Sequence, residues 1–169
     1  LPEWKRYSKW RDLTALSIYE RRKRMKIINE MKLTMPSKSA NEGFARVSVS
    51  AFVAQLDPTV EELQDIKTAV SEAVTNCVVH AYPDKIGNIT MTLSRENDKI
   101  HISIKDNGIG IKNIEEALTP FYTTKPDEER SGMGFTVMDS FMDSLTVKNN
   151  GAKGLVVEMT KRIENKQAV

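Results

Sequence analysis

A chain of 169 residues fits one globular domain of about 100 to 150 residues plus a short extension, which excludes two large domains. With 40% hydrophobic and 28% charged residues it can build a core, which excludes wholesale disorder, and no apolar run reaches the roughly 20 residues that span a bilayer. The net charge of +2 divides unevenly, because residues 1–24 carry eight basic and three acidic residues against 17 and 20 in the rest; so mildly acidic a body argues against direct nucleic-acid binding.

Residues 1–24 hold both tryptophans, Trp4 and Trp10, and end in Arg21-Arg22-Lys23-Arg24. They read as a basic extension outside the domain, the other reading being an amphipathic helix that docks a partner or a membrane surface. The domain is expected over 25–169, with Met25 its natural start. The lone Cys77 excludes an intramolecular disulfide, and without a signal peptide the expected location is the cytoplasm, with no membrane partner.

From Glu42 to Leu56, Phe44, Val47, Ala51 and Ala54 recur at helical spacing, and Asp57-Pro58 ends that helix. Thr59-Val-Glu-Glu62 reads as a capping box opening a second helix, whose stripe Leu63, Ile66, Val70, Ala73, Val74 and Cys77 carries it to about His80. Ile89, Met91 and Leu93, then Ile100, Ile102 and Ile104, alternate with polar residues on either side of Glu96-Asn97-Asp98-Lys99 and predict an antiparallel hairpin. Residues 106–134 are glycine-rich and irregular, apart from a short helix near Ile114 to Leu118, and loops of that length are usually functional. Phe135 to Met142 predicts a helix, and Leu145 to Lys148 and Leu155 to Met159 two closing strands around Asn149-Asn150-Gly151. The order implies an α+β two-layer sandwich, helices on one face of a mixed, mostly antiparallel sheet.

Three short segments carry chemistry. Glu72 and Asn76 stand one helical turn apart on one face, roughly opposite the apolar stripe. A carboxylate beside a carboxamide can supply a general base and a neutral magnesium ligand, although a solvated polar face explains most such pairs. Asp106-Asn-Gly108-Ile-Gly110 follows a strand, putting a carboxylate at a turn and glycines where backbone must come close to something; a self-bonded turn is the plainer account. Arg130-Ser-Gly132-Met-Gly134 precedes a helix, whose free amides would face an anion. Neither a P-loop nor a dinucleotide-binding fingerprint occurs.

Together and in this order, Glu-x-x-x-Asn, Asp-x-Gly-x-Gly and Gly-x-Gly resemble the N, G1 and G2 boxes of the ATPase superfamily that joins gyrase, heat-shock chaperones, histidine kinases and MutL. That likeness runs from about Met31 to Lys161 and implies a Bergerat-type ATP-binding fold. Phe44-Ala-Arg-Val47, Ala51 to Thr59, Val70-Ser-Glu-Ala-Val-Thr-Asn76, Phe121-Tyr-Thr-Thr-Lys-Pro126 and Glu129 to Phe135 are similar to the anti-sigma factor kinases of spore-forming bacteria.

The resemblance implies ATP and Mg2+ as ligands. It gives Asp106 to the adenine amine, Asn76 to magnesium and Glu72 to the proton of an attacking serine hydroxyl. Gly108 and Gly110 would admit the nucleotide, Thr124, Lys125 and Arg130 would lie in a lid, and Gly132 and Gly134 would offer amides to phosphate. Arg46 would meet the protein partners: a sporulation sigma factor of the sigma F kind, held inactive, and an anti-anti-sigma factor phosphorylated on serine. A homodimer is implied too. Where the family often has Gly-Thr-Thr, this chain has Gly154-Leu155-Val156, and a modest change in nucleotide affinity is expected.

Three alternatives stay open: a general-stress switch kinase, a histidine-kinase catalytic domain, and a nucleotide-gated binding protein in which Glu72 is idle. Residues 1–60 contain no histidine, which disfavours the second.

Overall fold

The computed structural model describes residues 26–119, 133–151 and 153–164. The extension 1–24 and the site candidates Thr124, Lys125, Arg130 and Gly132 lie outside them. In chain order the elements are β1 (Ile27–Pro36), α1 (Ala40–Val53), α2 (Val60–Asn76), β2 (Asn88–Glu96), β3 (Lys99–Asp106), α3 (Ile114–Ala117), α4 (Gly134–Phe141), β4 (Ser144–Asn149) and β5 (Leu155–Arg162). The sheet order is β1-β2-β3-β5-β4, and all four pairings are antiparallel.

The pairing register explains why one face of this sheet is a core. Met31, Leu93, Ile102, Met159 and Leu145 lie opposite one another in a row across five strands, and Leu33, Met91, Ile104, Val157 and Val147 form the next. Successive side chains point to opposite faces of a strand, so both rows fall on the same side, which α1, α2 and α4 cover. The two central strands contribute Ile89, Met91, Leu93 and Ile100, all fully buried. Each such side chain contributes roughly 1.5–3 kcal/mol on burial.

Helix α2 meets this face through Ile66, Ala69, Val70, Ala73 and Val74, as its stripe predicts. Helix α1 turns a different face inward. Its core residues are Ala45, Val49, Phe52 and Val53, whereas Phe44 and Val47, part of the stripe read from the sequence, are 55% and 67% exposed. The helix carries apolar residues on two sides, so spacing alone does not choose between them. Strand β1 escaped the sequence reading, although Met31, Leu33 and Met35 alternate with polar Lys32 and Thr34.

The capping box at the head of α2 forms in full: Thr59 Oγ1 accepts from the Glu62 amide at 3.2 Å, and Glu62 Oε2 accepts from the Thr59 amide at 2.8 Å. The other oxygen of Glu62 accepts from the Glu164 amide, fastening the chain beyond β5 to α2. Lys161 adds a second tie, donating to Asp65 at 3.1 Å and to the carbonyl of Phe141, at the last turn of α4, at 2.6 Å.

Burial raises the Glu62 carboxyl, but the hydrogen bonds from Thr59 and Glu164 and the nearby Lys161 outweigh it and bring the pKa below its ordinary value. A lowered carboxyl pKa stabilises the fold above the ordinary value, and the contribution is lost as pH falls through the folded one. Thr59→Ala should therefore cost about 1 kcal/mol at neutral pH. In thermal melts, the gap between this variant and the parent should narrow on acidification as Glu62 protonates.

Candidate nucleotide site

The last turn of α2 runs into five residues of π-helix, Cys77–Ala81. Such wide turns often mark functional sites because they re-aim the chain without ending the helix. Here the π segment carries α2 from the middle of the sheet to the edge of the loop that follows β3.

Asp106 ends β3 in phase with Ile100, Ile102 and Ile104, and its register partner is Ile89, itself paired with Met35. The carboxylate therefore occupies a third row on the apolar face and is only 2% exposed. Its Oδ1 accepts from the amides of Gly108, at 2.8 Å, and Leu155, at 3.2 Å. Its Oδ2 receives a long bond, 3.6 Å, from the Cys77 thiol. Burial pushes the Asp106 carboxyl above its ordinary value against these three bonds, and drives the Cys77 thiol well above its own, so Cys77 remains an S–H donor at neutral pH. With Oδ1 saturated and Oδ2 weakly held, the carboxylate keeps acceptor capacity on one side.

Gly108 lies against the π segment. A Cβ there would sit 2.0 Å from the carbonyl oxygen of Ala81, while the next amide, that of Ile109, donates to the same carbonyl at 3.0 Å. Gly110 has φ +70, in the left-handed region, beside Asn149. Tyr82 closes the arrangement from below, accepting from the Asn107 amide at 2.9 Å and donating to the Asn88 carbonyl at 2.7 Å. Burial raises its hydroxyl pKa, so it stays protonated for both roles.

The second half of the site lies one residue away along α2. Gly134, the first residue of α4, packs so closely that a Cβ on it would stand 3.2 Å from Glu72 Oε2 and 3.3 Å from both side-chain polar atoms of Asn76. Glu72, Asn76 and the head of α4 thus converge on one spot. Asn76 and Cys77 are adjacent, so a single helix turn addresses this cluster and the Asp106 pocket together.

Among the described residues no group of three His, Cys, Asp or Glu side chains could hold a metal. Asn76, beside Glu72, offers a neutral oxygen donor at this spot. Arg46 stands apart on α1, 3.6 Å from Glu42, which also accepts from Ser71 on α2.

Sequence reasoning named Asp106, Gly108, Gly110 and Gly134 but missed Cys77, Tyr82 and the amide of Leu155 as parts of the site. One of these had a signal: Cys77 follows Asn76 directly and closes the apolar stripe of α2. The Leu155 amide had none, because a backbone donor carries no residue signature. It also reaches Asp106 whatever side chain stands at 155, so the absence of threonines at 155 and 156 leaves this bond in place. His101 lies on β3 and pairs with Glu96 at 2.9 Å. No helix among the described residues is long and apolar enough to cross a membrane.

Residues 35–161 match the family described as the histidine kinase-like ATPase domain. The anti-sigma F factor of Clostridium perfringens (strain SM101 / Type A) is 59% identical over 136 residues, covering 80% of this chain and 97% of that protein. The anti-sigma F factor of Thermoanaerobacter sp. (strain X514) is 56% identical over 139 residues, 82% of this chain and 97% of its own. Among solved structures, the RsbU and RsbW domains of a Mycobacterium tuberculosis protein superpose with a TM-score of 0.58 at 16% identity, over 80% of this chain and 32% of that one. The catalytic domain of the histidine kinase ThkA, in a nucleotide-free form, gives 0.52 at 15% identity, over 80% and 97%. These two likenesses are of fold.

The clearance at Gly108 is a structural requirement that can be measured. Gly108→Ala sets a methyl against backbone, which cannot rotate away, and should destabilise the fold by about 1–3 kcal/mol in chemical denaturation. A loss below 0.5 kcal/mol, roughly the noise of a surface change, would show that the loop yields.

Proposed function

The chain belongs to the anti-sigma F factors, within the histidine kinase-like ATPase family, and from that premise we propose that it is an ATP-dependent protein serine kinase as well as a sigma-factor inhibitor. In this reading it holds a sigma F-like sporulation factor inactive and, with ATP and Mg2+, phosphorylates a serine of an anti-anti-sigma factor. The observation that carries it is the convergence of Glu72, Asn76 and Gly134 within 3.3 Å of one point, one residue along α2 from the thiol that touches Asp106.

Each residue has a physical task. Asp106 accepts from the exocyclic amine of adenine through the oxygen left weakly held, in a pocket dry enough to make that bond selective. Asn76 holds the magnesium ion, which when bound neutralises phosphate charge. Glu72, beside it, takes the proton of the incoming serine hydroxyl as general base. Gly134 lets the head of α4 come close to Glu72 and Asn76, which a Cβ would crowd, and offers its backbone amide to the phosphates. Gly132, Thr124, Lys125 and Arg130 complete the phosphate cover in the same proposal.

Arg46, 42% exposed on α1 amid the outward-facing Phe44 and Val47, supplies a cation within an apolar patch for the protein partners. The same reading makes the protein a cytoplasmic homodimer.

Phosphotransfer from labelled ATP to a candidate anti-anti-sigma protein, with Glu72→Gln alongside the parent, tests the chemistry. The variant should lose at least about a hundredfold in rate while keeping ATP and sigma-factor affinity within twofold. Equal rates in parent and variant would remove Glu72 as the base. Intact ATP binding with no transfer by the parent would make the protein a nucleotide-gated binder.

Acid should also weaken nucleotide binding. Because the folded pKa of Asp106 is raised, the acceptor is lost as pH falls through that value, earlier than for an ordinary carboxyl. By the same sign the ligand-free fold should gain from protonating Asp106, the reverse of Glu62. Calorimetric ADP titrations across acidic pH, compared with Asp106→Asn, should show a decline in the parent and a weak, flat affinity in the variant.

A further inference from the structure

The loop Asp106–Ile111 is anchored at its start by β3 and by Ala81, but at its far end by the turn between β4 and β5. Asn149 Oδ1 accepts from the Ile111 amide at 3.1 Å, and Asn149 Nδ2 donates to the Ile111 carbonyl at 2.9 Å, so one side chain satisfies both backbone polar atoms of that residue. Asn150 Nδ2 donates to the Asp106 carbonyl at 3.3 Å and to Asn107 Oδ1 at 3.0 Å, while its own amide donates to the Gly154 carbonyl at 3.0 Å. Gly110 fits between them; a Cβ there would stand 2.8 Å from Asn149 Oδ1 and 3.0 Å from the Gly154 carbonyl.

We propose that the Asn149–Asn150 turn is a positioning clasp for the nucleotide pocket, four side-chain hydrogen bonds that bind the β4–β5 hairpin and the Asp106–Ile111 loop into one body. The inference rests on the reading that this pocket takes a nucleotide. Leu155, on the same hairpin, donates to the Asp106 carboxylate, so a loop that slips on the hairpin also disturbs the amides that orient that group. The four bonds lie on the Asp106 side of the site. Their loss should therefore raise the nucleotide dissociation constant and KM while sparing the phosphoryl-transfer step.

Three substitutions separate the contacts. Asn149→Ala removes both bonds to Ile111. Asn149→Asp keeps the acceptor for the Ile111 amide and sets a carboxylate against its carbonyl. Asn150→Asp removes both donations to the loop and adds charge near Asp106. ADP titration of the full chain, with thermal melting in the presence and absence of ADP, should show affinity about tenfold weaker for Asn149→Ala and weaker still for Asn150→Asp. The ADP-induced rise in melting temperature should shrink in step, and with saturating ATP the kcat for phosphotransfer should stay within twofold of the parent.

Dissociation constants within twofold of the parent overturn the clasp. So does a lower ADP-free melting temperature with an undiminished ADP-induced rise, which would make the turn a purely structural tie. A parent that binds no ADP overturns the nucleotide reading itself, and the clasp with it.

Discussion

A carboxylate placed in a row of core side chains governs this molecule. Strand register puts Asp106 in line with Ile89 and Met35, on the face of the sheet that the helices cover. Taking an ionised carboxylate out of water costs several kcal/mol unless hydrogen bonds replace the lost hydration. Two backbone amides and a thiol do so, and each imposes a condition elsewhere. The Gly108 amide reaches Oδ1 only if the loop folds back under Ala81, where no Cβ fits. The Leu155 amide reaches it only if β5 begins beside that loop. The Cys77 thiol reaches it only if α2 carries on past Asn76, which the π segment provides. The irregular backbone of this region follows from solvating one buried group.

The same requirement ties the two halves of the site together. Because Cys77 must face Asp106, the preceding turn of α2 presents Asn76 and Glu72 toward the head of α4, where Gly134 admits them. A helix that ended one residue earlier would separate the Asp106 pocket from the Glu72–Asn76 cluster. Lys161 then fixes α4 by bonding its last turn and α2 at once, so the angle at which Gly134 approaches Glu72 is set by a strand on the far side of the helix layer.

Much of this was legible in the sequence because it is written in periodicity. The α2 stripe, the capping box of Thr59 and Glu62 and the two alternating triads of the β2–β3 hairpin all appear as read. What was not legible falls into two kinds. Helix α1 has apolar residues on two faces, and which one is buried depends on the neighbours rather than on the spacing. The Leu155 amide and three of the four bonds made by Asn149 and Asn150 involve backbone groups across the fold. Asparagine before glycine reads as a turn whether or not its side chain holds a distant loop.

The exposed face of α1 shows how a freely exposed surface can share a domain with so constrained a pocket. Phe44 and Val47 project outward while Ala45 and Val49, beside them, are fully buried, so the helix is held by its inner face and its outer one is free to vary. Among the described residues Arg46 pairs there with Glu42, at 3.6 Å, with both groups partly exposed; such a pair is worth about 0–1 kcal/mol. A partner's carboxylate can displace it at little cost. Glu42 keeps its bond from Ser71, the residue before Glu72, so that exchange occurs at a side chain already joined to the helix that carries Glu72 and Asn76. The weak contact lies on the exposed face of α1, and the stronger ones lie around Asp106, where the geometry has to stay fixed.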